Sequence, residues 1–516
     1  MKLMHAALTG LVLCTSAPNV FAEREIAFAP YEIPSAGTVA LAVPEGVPQE
    51  GAFAEVDDAA DGALRRAVDA IGFRGKAKER LDLPGIGPFD RVLLVGTGPD
   101  DVTPRMLEDI GGTVGQTGAA STAERIDILW PGNETDAAAH LAFGAALGQY
   151  RFTKYRTTPE GEPVTGEGQL VIRTRAGRGA ARTFNAEWAP VGRAVIFARD
   201  IISEPALEIY PESFIERARE AFEGIANVRI EVLDVARMEE LGMGGILAVG
   251  KGSERPPRLL VVRYDGAGSN EAPVAFVGKG ITFDSGGISL KDNDGLWKMK
   301  YDMSGAAAAT ATVLALAGRK AGVNAVGIAA LAANMPSGTA GRPGDVVRTM
   351  SGKTFEVMST DAEGRMVLSD AVWYAQQEFE PRVVIDLATL TGAVRTALGD
   401  EYAGLFSRHD TLAEQLIAAG SESGEELWRL PLHPTYAKDM ESPIADIRNS
   451  GMGAGAGAGL GAHFIGQWVD EATPWAHLDI AGMAWRENED QPTVPLGASA
   501  FGIRVLDRYV REIEGQ

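Results

Sequence analysis

The chain has 516 residues, of which 45% are hydrophobic and 23% are charged, and no apolar run reaches the ~18 residues that cross a bilayer. These values exclude an integral membrane protein, and a domain size of roughly 100 to 200 residues predicts two domains. The formal net charge of −22 argues against nucleic acid as a main partner, because binding to phosphates depends on Lys and Arg side chains that release counterions. We therefore expect neither nucleic-acid nor membrane partners.

The first 22 residues have the pattern of a secretory signal peptide. Residues 1–22 contain one lysine, an apolar stretch, and Val20 and Ala22 ahead of the predicted cleavage site. The alternative is a disordered or mis-started N-terminus, because a single positive charge is a weak export signal. The only cysteine, Cys14, lies in this segment, so the mature chain is expected to form no disulfide. The predicted location is the periplasm or the exterior, with the cytoplasm as the alternative.

Residues 23–175 are predicted to form a smaller N-terminal α/β (macro-like) domain. Short apolar runs such as TVALAV, RVLLVG, IDILW and QLVIR alternate with helical patterns such as AAAHLAFGAALGQY. Periodicity then weakens in a segment rich in Gly, Thr, Arg and Glu. We place a linker at residues 176–194.

Residues 195–516 are predicted to form a larger catalytic α/β domain. Strands are expected at VRIEVLD, LLVVRY, VAFVG, VGIAAL and VVIDLATL, with helices between them such as SGAAAATATVLALAG. This pattern predicts a mixed, mainly parallel central sheet flanked by helices. Ligands of such sheets bind beyond the carboxyl ends of the strands, so the chemistry is expected in the loops that follow them.

One low-complexity segment, GMGAGAGAGLGA at residues 451–462, allows two interpretations. It is either a flexible active-site loop or a neutral linker, and composition does not distinguish the two.

Several familiar reaction types lack their motifs. The six histidines include no HExxH pair, there is no phosphate-binding GxxxxGK[ST] loop, and FDSGG does not match the GxSxG of serine hydrolases. A histidine-based zinc protease is therefore excluded, and nucleotide chemistry has little support.

Acidic residues form a more informative pattern. Glycines flank Lys279 after a predicted strand, and Asp284, Lys291 and Asp302 follow it. Glycine lets the backbone approach a ligand closely, at a cost in folding entropy. This segment alone is equally compatible with a surface loop that carries scattered charges.

The stretch STDAEGR adds two carboxylates. Asp361 and Glu363 lie two positions apart, ahead of a helix predicted to begin near Met366. In extended backbone, alternate side chains point to the same side, so both carboxylates are expected to face one pocket.

Four carboxylates in one pocket, those of Asp284, Asp302, Asp361 and Glu363, would repel one another. Two divalent cations would balance their charge. Oxygen ligands with one lysine nitrogen suit zinc or manganese, with magnesium as a further option. Binuclear centres of this kind activate a bridging water.

These motifs resemble those of the leucyl aminopeptidase (cytosol aminopeptidase) family of binuclear metallopeptidases. The matching stretches are VGKGITFDSGG, TDAEGR, NMPSG with RPGDV, and DLATLTGA, in the family's order. The resemblance covers nearly all of residues 195–505, and it extends more weakly to ARDIISEP and LGQYRFTKYR.

The resemblance implies two metal ions per subunit. Their ligands would be Lys279, Asp284, Asp302 and Glu363 for one ion, and Asp284, Asp361 and Glu363 for the other. A lysine ligates only as the neutral amine, so a bound metal must depress its pKa.

The resemblance also implies catalytic and substrate-binding residues. Lys291 would polarise the scissile carbonyl and stabilise its oxyanion, while Arg365 would anchor a bicarbonate that relays a proton. The residues implied to contact the substrate are Met299, Thr389, Leu390 and Gly392.

The expected function is that of a metal-dependent aminopeptidase that uses a two-metal bridging hydroxide, prefers leucine-like first residues of peptides and assembles as a homohexamer. Two positions depart from the family's usual residues: Ser359 stands where relatives carry Asn, and Ser304 where they carry Gly. A catalytically modified binding or regulatory protein on the same scaffold is the alternative. A binuclear phosphohydrolase has no support beyond the metal pattern.

Overall fold

The computed structural model describes residues 24–99, 101–157, 168–268, 271–451, 453, 455–488 and 491–514. The predicted signal peptide therefore lies outside the described residues. Among the described helices, none combines the length and the apolar composition needed to cross a membrane.

The N-terminal part of the chain forms a six-stranded sheet in the order β1-β6-β5-β2-β4-β3. Its elements are β1 (Glu25–Pro30), β2 (Gly37–Pro44), α1 (Ala52–Ala59), α2 (Ala63–Ile71), β3 (Arg80–Ile86), β4 (Phe89–Gly98), α3 (Pro104–Ala119), β5 (Arg125–Trp130), α4 (Thr135–Gly148) and β6 (Gln169–Thr174). All pairings are parallel except that of β3 with β4. The four strands predicted from apolar runs are β2, β4, β5 and β6. The pattern missed β1 and β3, which are edge strands with few buried residues.

A helical segment leads out of this sheet. It comprises α5 (Gly177–Thr183), a π-helical turn at Phe184–Trp188 and α6 (Ala189–Ser203). Residues 176–194, expected to form the linker, thus lie largely in these helices. Phe184 and Trp188 are buried and join the core, so this segment packs against the rest of the protein.

The remaining chain builds the larger α/β unit. Its elements are α7 (Pro211–Ala221), β7 (Val228–Leu233), α8 (Val235–Glu240), α9 (Gly244–Gly250), β8 (Arg258–Asp265), β9 (Val274–Asp284), a 3₁₀ helix (Leu296–Met303), α10 (Ser304–Arg319), β10 (Asn324–Asn334), β11 (Val346–Arg348), β12 (Thr354–Glu356), α11 (Glu363–Phe379), β13 (Val383–Ala388), α12 (Gly392–Leu398), β14 (Ala403–Ser407), α13 (Asp410–Ser423), β15 (Leu427–Arg429), α14 (Tyr436–Asp439), β16 (Ile447–Arg448), α15 (Gly457–Gly466), β17 (Trp475–Asp479), β18 (Trp485–Arg486), β19 (Gly497–Ala498) and α16 (Ile503–Glu514).

An eight-stranded sheet organises this unit in the order β15-β14-β17-β13-β9-β10-β8-β7. The four central strands β17, β13, β9 and β10 run parallel, whereas β7, β8 and β14 introduce antiparallel pairs. The predicted two-domain α/β fold with a mixed, mainly parallel sheet is confirmed. All five strands predicted for this domain are present, as β7, β8, β9, β10 and β13.

Helices cover both faces of the central sheet. Along β9, Val274 and Phe276 join the core on one face, while Ala275 and Val277 join the core on the other. Both faces are therefore buried, which explains the continuous apolar runs in the sequence. Small residues let α10 lie close to the sheet: a Cβ placed on Gly305 would stand 2.1 Å from the carbonyl oxygen of Leu387.

The Gly/Ala-rich segment 451–462 is partly helical. Residues 452 and 454 lie outside the described residues, but α15 begins at Gly457 and includes the second half of the segment. Residues 457–462 are therefore helical, and they form neither a flexible loop nor a linker.

Candidate active site

The central parallel strands end at one edge of the sheet, and the predicted site residues gather there. Asp284 ends β9 opposite Asn334, which ends β10, and Asp479 ends β17 opposite Ala388. Thr389 follows directly after β13. The edge is therefore the one at which α/β proteins of this kind bind their ligands.

Lys279 lies in β9 and is buried among the acidic residues. Its Nζ is 2.7 Å from Asp302 Oδ2 and 2.8 Å from Glu363 Oε1, and it donates a hydrogen bond to the carbonyl oxygen of Thr389 at 2.8 Å. Gly364 makes room for this side chain, since a Cβ there would stand 2.6 Å from Lys279 Cδ. The glycine of TDAEGR is thus explained by the close approach of the lysine.

A glycine turn brings Lys291 back to the cluster. Gly286 and Gly287 have φ values of +86° and +66°, in the left-handed region that favours glycine. The Lys291 N–H donates to Ser285 O, and its Nζ lies 2.8 Å from Asp284 Oδ2 and 2.5 Å from Asp361 Oδ1. Lys291 therefore bridges two of the predicted metal ligands.

Glu363 and Arg365 belong to the first turn of α11. The helix begins at Glu363, three residues before the predicted start at Met366. Asp361 precedes the helix and its side chain is 36% exposed, whereas Glu363 is buried. A negative charge in the first turn is favoured by the helix dipole, which explains the earlier start.

Electrostatics in the cluster reflect burial and the two lysines. Burial lowers the pKa of Lys279, but Asp302, Glu363 and Asp284 outweigh this and raise the pKa above its ordinary value. Burial together with the charge of Glu363 raises the pKa of Asp284 to about 6. Burial also raises the pKa of Glu363, but the two lysines outweigh it and hold the pKa below its ordinary value. Lys279 and Lys291 are therefore the positive charges that offset the carboxylates of the cluster.

The donor set fits divalent metal ions. One carboxylate oxygen from each of Asp284, Asp361 and Glu363 lies within 4.8 Å of the other two. Among the described residues, the buried Glu363 Oε2 has no hydrogen-bond partner. Clustered carboxylates with a buried acceptor left over suit hard or borderline cations such as magnesium, manganese and zinc.

Arg365 lies two residues after Glu363 in the first turn of α11. Its side chain is buried, and burial lowers the pKa of the guanidinium. Nη1 donates to the carbonyl oxygen of Asn449 at 3.0 Å, while Nε has no partner among the described residues.

Two of the four predicted substrate residues, Thr389 and Leu390, lie on the loop after β13, and a third, Gly392, is the first residue of α12. Thr389 is bound to the cluster, because its Oγ1 donates to Asp302 Oδ1 at 2.6 Å. Leu390 follows half-buried, and Gly392 is exposed with open space around it. The fourth, Met299, lies one 3₁₀ turn before Asp302.

Two residues of the site escaped the sequence analysis. Asn334 Nδ2 donates to Asp284 Oδ1 at 2.8 Å and to Thr360 O at 2.9 Å. Asp479 accepts from the Leu390 N–H at 3.1 Å and from Thr391 Oγ1 at 2.7 Å, so it fixes the loop after β13. Asn334 lies in the matched stretch NMPSG, and Asp479 ends a buried strand, and these are the sequence features by which both residues can be found.

A carboxylate cluster at the edge of a mixed sheet, with lysine and arginine beside it, defines a metal-dependent hydrolase with two α/β domains. The chain belongs to the cytosol aminopeptidase family: the family's catalytic-domain model matches residues 196–507 and its N-terminal-domain model matches residues 40–159. The protein is a metal-dependent aminopeptidase, a hydrolase that acts on peptides.

Relatives and solved structures agree with this membership. Proteins described as "Probable cytosol aminopeptidase" from Caulobacter vibrioides and Nitrobacter winogradskyi are 45% and 42% identical, over 94% and 95% of this chain and 99% and 98% of their own lengths. A tomato leucine aminopeptidase variant superposes with a TM-score of 0.85 at 30% identity, covering 96% of this chain and 98% of that one. The bottromycin maturation enzyme BotP in complex with Mn gives 0.80 at 32% identity, covering 92% and 99%.

The prediction of export is wrong. The family and the relatives that match most of this chain are described as cytosol aminopeptidases, and those descriptions point to the cytoplasm. The signal that suggested export was a single lysine ahead of a short apolar stretch, which is a weak n-region.

Proposed function

We propose that this aminopeptidase hydrolyses the first peptide bond of peptides with leucine-like first residues, with two divalent metal ions in the acidic cluster. One observation carries the proposal. At the edge of the sheet, the Nζ atoms of Lys279 and Lys291 form ion pairs with four carboxylates at N–O distances of 2.5 to 2.8 Å. Lys279 in its neutral form would hold one ion with Asp284, Asp302 and Glu363, and Asp284, Asp361 and Glu363 would hold the other. Zinc or manganese fits this donor set best, with magnesium as a further option.

When bound, the metal ions supply Lewis-acid polarisation and a nucleophile at neutral pH. The chain supplies positioning and charge. Burial lowers the pKa of Lys291, but Asp284 and Glu363 outweigh this and raise the pKa above its ordinary value, which favours the charged ammonium. In the proposal this ammonium donates a hydrogen bond to the scissile carbonyl oxygen and stabilises the negative charge that develops there.

Arg365 is proposed to bind an anion that moves a proton, with bicarbonate as the candidate. The guanidinium is a fixed fork of donors that matches a planar oxyanion. Support comes from its buried Nε, which no described residue engages, and from its place two residues after Glu363 on the same helix.

The loop after β13 and the start of α12 are proposed to bind the substrate. Thr389 and Gly392 would contact the peptide backbone, and Leu390 with Met299 would line an apolar pocket for the first side chain. Both apolar residues are half-buried, so each keeps surface for a ligand.

A homohexamer is proposed from the family resemblance, and sedimentation at the mass of a single 54.5 kDa chain would contradict it.

Lys291→Met tests the proposed role of the ammonium. Loss of one oxyanion donor costs roughly 10²- to 10³-fold in kcat, and KM is expected to change little. Turnover is measured with metal-loaded protein on a leucyl amide, beside alanyl, phenylalanyl and N-acetylated leucyl amides. Lys353→Met is the control, because that lysine donates to Gln467 O and lies outside the cluster.

Wild-type protein should release leucine fastest, lose activity with a chelator and leave the N-acetylated amide intact. Equal kcat values for Lys291→Met and the wild type would contradict the role of Lys291. Absence of all amide turnover would contradict the proposed function itself and favour a binding role. Metal analysis of both variants shows whether a loss of rate comes from loss of metal.

A further inference from the structure

Asn449 is a fully buried side chain that directly follows β16. Its amide makes three hydrogen bonds to the backbone just ahead of Asp361. Oδ1 accepts from the N–H groups of Met358 at 2.8 Å and Ser359 at 3.3 Å, and Nδ2 donates to the carbonyl oxygen of Ser359 at 2.7 Å. The amide therefore pairs with Ser359 on both sides, as a neighbouring strand would.

These bonds continue a strand pairing beyond its end. β12 and β16 run parallel, with Glu356 opposite Arg448, and the Asn449 N–H donates to Glu356 O at 2.9 Å. Strand β12 ends at Glu356, and its backbone pairing with β16 stops there, before residues 357–359. The side chain of Asn449 replaces the missing ladder and fixes the chain up to Ser359, two residues before Asp361.

The same residue also contacts the arginine of the site. Its carbonyl oxygen accepts from Arg365 Nη1 at 3.0 Å. One residue thus holds both sides of the STDAEGR stretch: the backbone before Asp361 through its side chain, and the guanidinium after Glu363 through its main chain.

We propose that Asn449 is a positioning residue that sets the place of Asp361 and of the Arg365 guanidinium for metal binding and catalysis. This inference rests on the proposed function for its effect on turnover. Groups that orient metal ligands are typically worth 10- to 100-fold in metal affinity or activity, which sets the size of the expected effect.

The test compares Asn449→Ala with Asn324→Ala. Asn324 is a matched control, because it is also buried and also makes three hydrogen bonds to loop backbone, but at the start of β10, the opposite end from Asn334. Three quantities are measured: hydrogen exchange of a peptide spanning 358–366 in metal-free protein, Mn²⁺ affinity by calorimetry, and kcat and KM on the leucyl amide.

Asn449→Ala is expected to speed exchange across 358–361, to weaken Mn²⁺ binding by 10- to 100-fold, and to lower kcat by a similar factor with a smaller change in KM. Asn324→Ala should change none of these. Unchanged exchange and unchanged Mn²⁺ affinity in Asn449→Ala would overturn the inference.

Asn449→Asp carries the test if the alanine variant does not fold. It keeps the acceptor for the Met358 and Ser359 N–H groups but places a carboxylate oxygen against Ser359 O, where Nδ2 donated, so weaker Mn²⁺ binding than in the wild type is expected. Mn²⁺ affinity equal to that of the wild type in this variant would overturn the inference. If the wild-type protein turned over no amide, the proposed function would fail, while exchange and Mn²⁺ affinity would still decide the role of Asn449.

Discussion

The hydroxyl of Ser359 accepts the N–H of Asp361 at 3.2 Å and so closes a short turn ahead of that carboxylate. Asn side chains form the same turn to the residue two positions on, and Ser hydroxyls form it more weakly. Serine in place of the family's usual Asn therefore keeps the local geometry with a weaker hydrogen bond. The other departure, Ser304, is buried, and its hydroxyl donates to Tyr301 O, so its polar group is satisfied.

Ser359→Ala and Ser359→Asn test this turn in opposite directions. Ser359→Ala removes the hydrogen bond to the Asp361 N–H, which is worth about 0.5 to 1.5 kcal/mol. This variant should bind Mn²⁺ roughly threefold to tenfold more weakly, because Asp361 becomes less ordered. The Asn variant should bind Mn²⁺ at least as tightly as the wild type. Calorimetric titration of metal-free protein with Mn²⁺ measures the affinity of each variant. Identical affinities for Ala, Ser and Asn at position 359 would show that this hydrogen bond does not order Asp361.

Sequence alone pointed to the lysines and carboxylates that the structure brings together, because most of them lie in contiguous motifs. VGKGITFDSGG carries Lys279 and Asp284, and TDAEGR carries Asp361 and Glu363, so the members of each pair lie within a few positions of one another. The supporting residues are different. Asn449 is separated from Ser359 by 90 residues and Asp479 from Leu390 by 89, so only the fold brings their hydrogen-bonding groups together.

Helix α15 shows why its composition was ambiguous. A Cβ on Gly459 would stand 2.5 Å from the ring of Tyr436, and one on Gly461 would stand 2.9 Å from Leu390 Cδ2 and 3.3 Å from Arg365 Nη2. The glycines are therefore explained by close packing of the helix against the site. A run of small residues looks the same in sequence whether it is a loop or a closely packed helix, because the difference lies in tertiary contacts.

Gly461→Ala should narrow the proposed pocket for the first side chain. The added methyl group must displace Leu390, a flexible side chain, so binding of a bulky first residue should suffer most. One methylene in an apolar pocket is worth about 1 to 3 kcal/mol, which predicts a fall of about tenfold or more in kcat/KM for leucyl relative to alanyl amide.

Gly192→Ala is the control for Gly461→Ala. Gly192 lies in α6, where a Cβ would make ordinary contact with Phe143 at 3.7 Å. Both substitutions favour the helix intrinsically, by about 1 kcal/mol. The ratio of leucyl to alanyl turnover should change only in Gly461→Ala, and equal ratios in both variants would show that α15 does not shape the pocket.

Strand prediction succeeded where strands are buried on both faces and failed at the edges. β9, β10 and β13 are buried almost throughout, and their apolar runs stood out from the helices between them. β1 and β3 bury little and contain charged residues or proline, so their sequences are not distinctive. The earlier start of α11 places the charged Glu363 in the first turn, where the helix dipole favours it, and hydrophobic periodicity does not detect such a residue.

At the scale of the whole molecule, the two domains share one core and a buried ionic contact. The largest apolar cluster includes residues of α3 and α4 as well as α10 and α16. Glu108 of α3 pairs with Arg504 of α16, and its Oε1 lies 2.7 Å from His140 Nδ1. Arg199 donates to the carbonyl oxygens of Leu147 on one side and of Thr493 and Ser499 on the other. We therefore expect the domains to unfold together.

Glu108→Ala tests this coupling, because it leaves Arg504 buried without its carboxylate. Breaking a buried pair in this way costs about 3 to 5 kcal/mol, so the urea midpoint should fall and proteolysis between the domains should speed up. Asp82→Ala removes the pair with Arg91, whose side chains are 39% and 37% exposed, and should cost ~1 kcal/mol or less. Below the unfolding range, kcat should stay unchanged in both variants, since neither residue contacts the site. Two equally small shifts in midpoint would show that the ionic contact does not couple the domains.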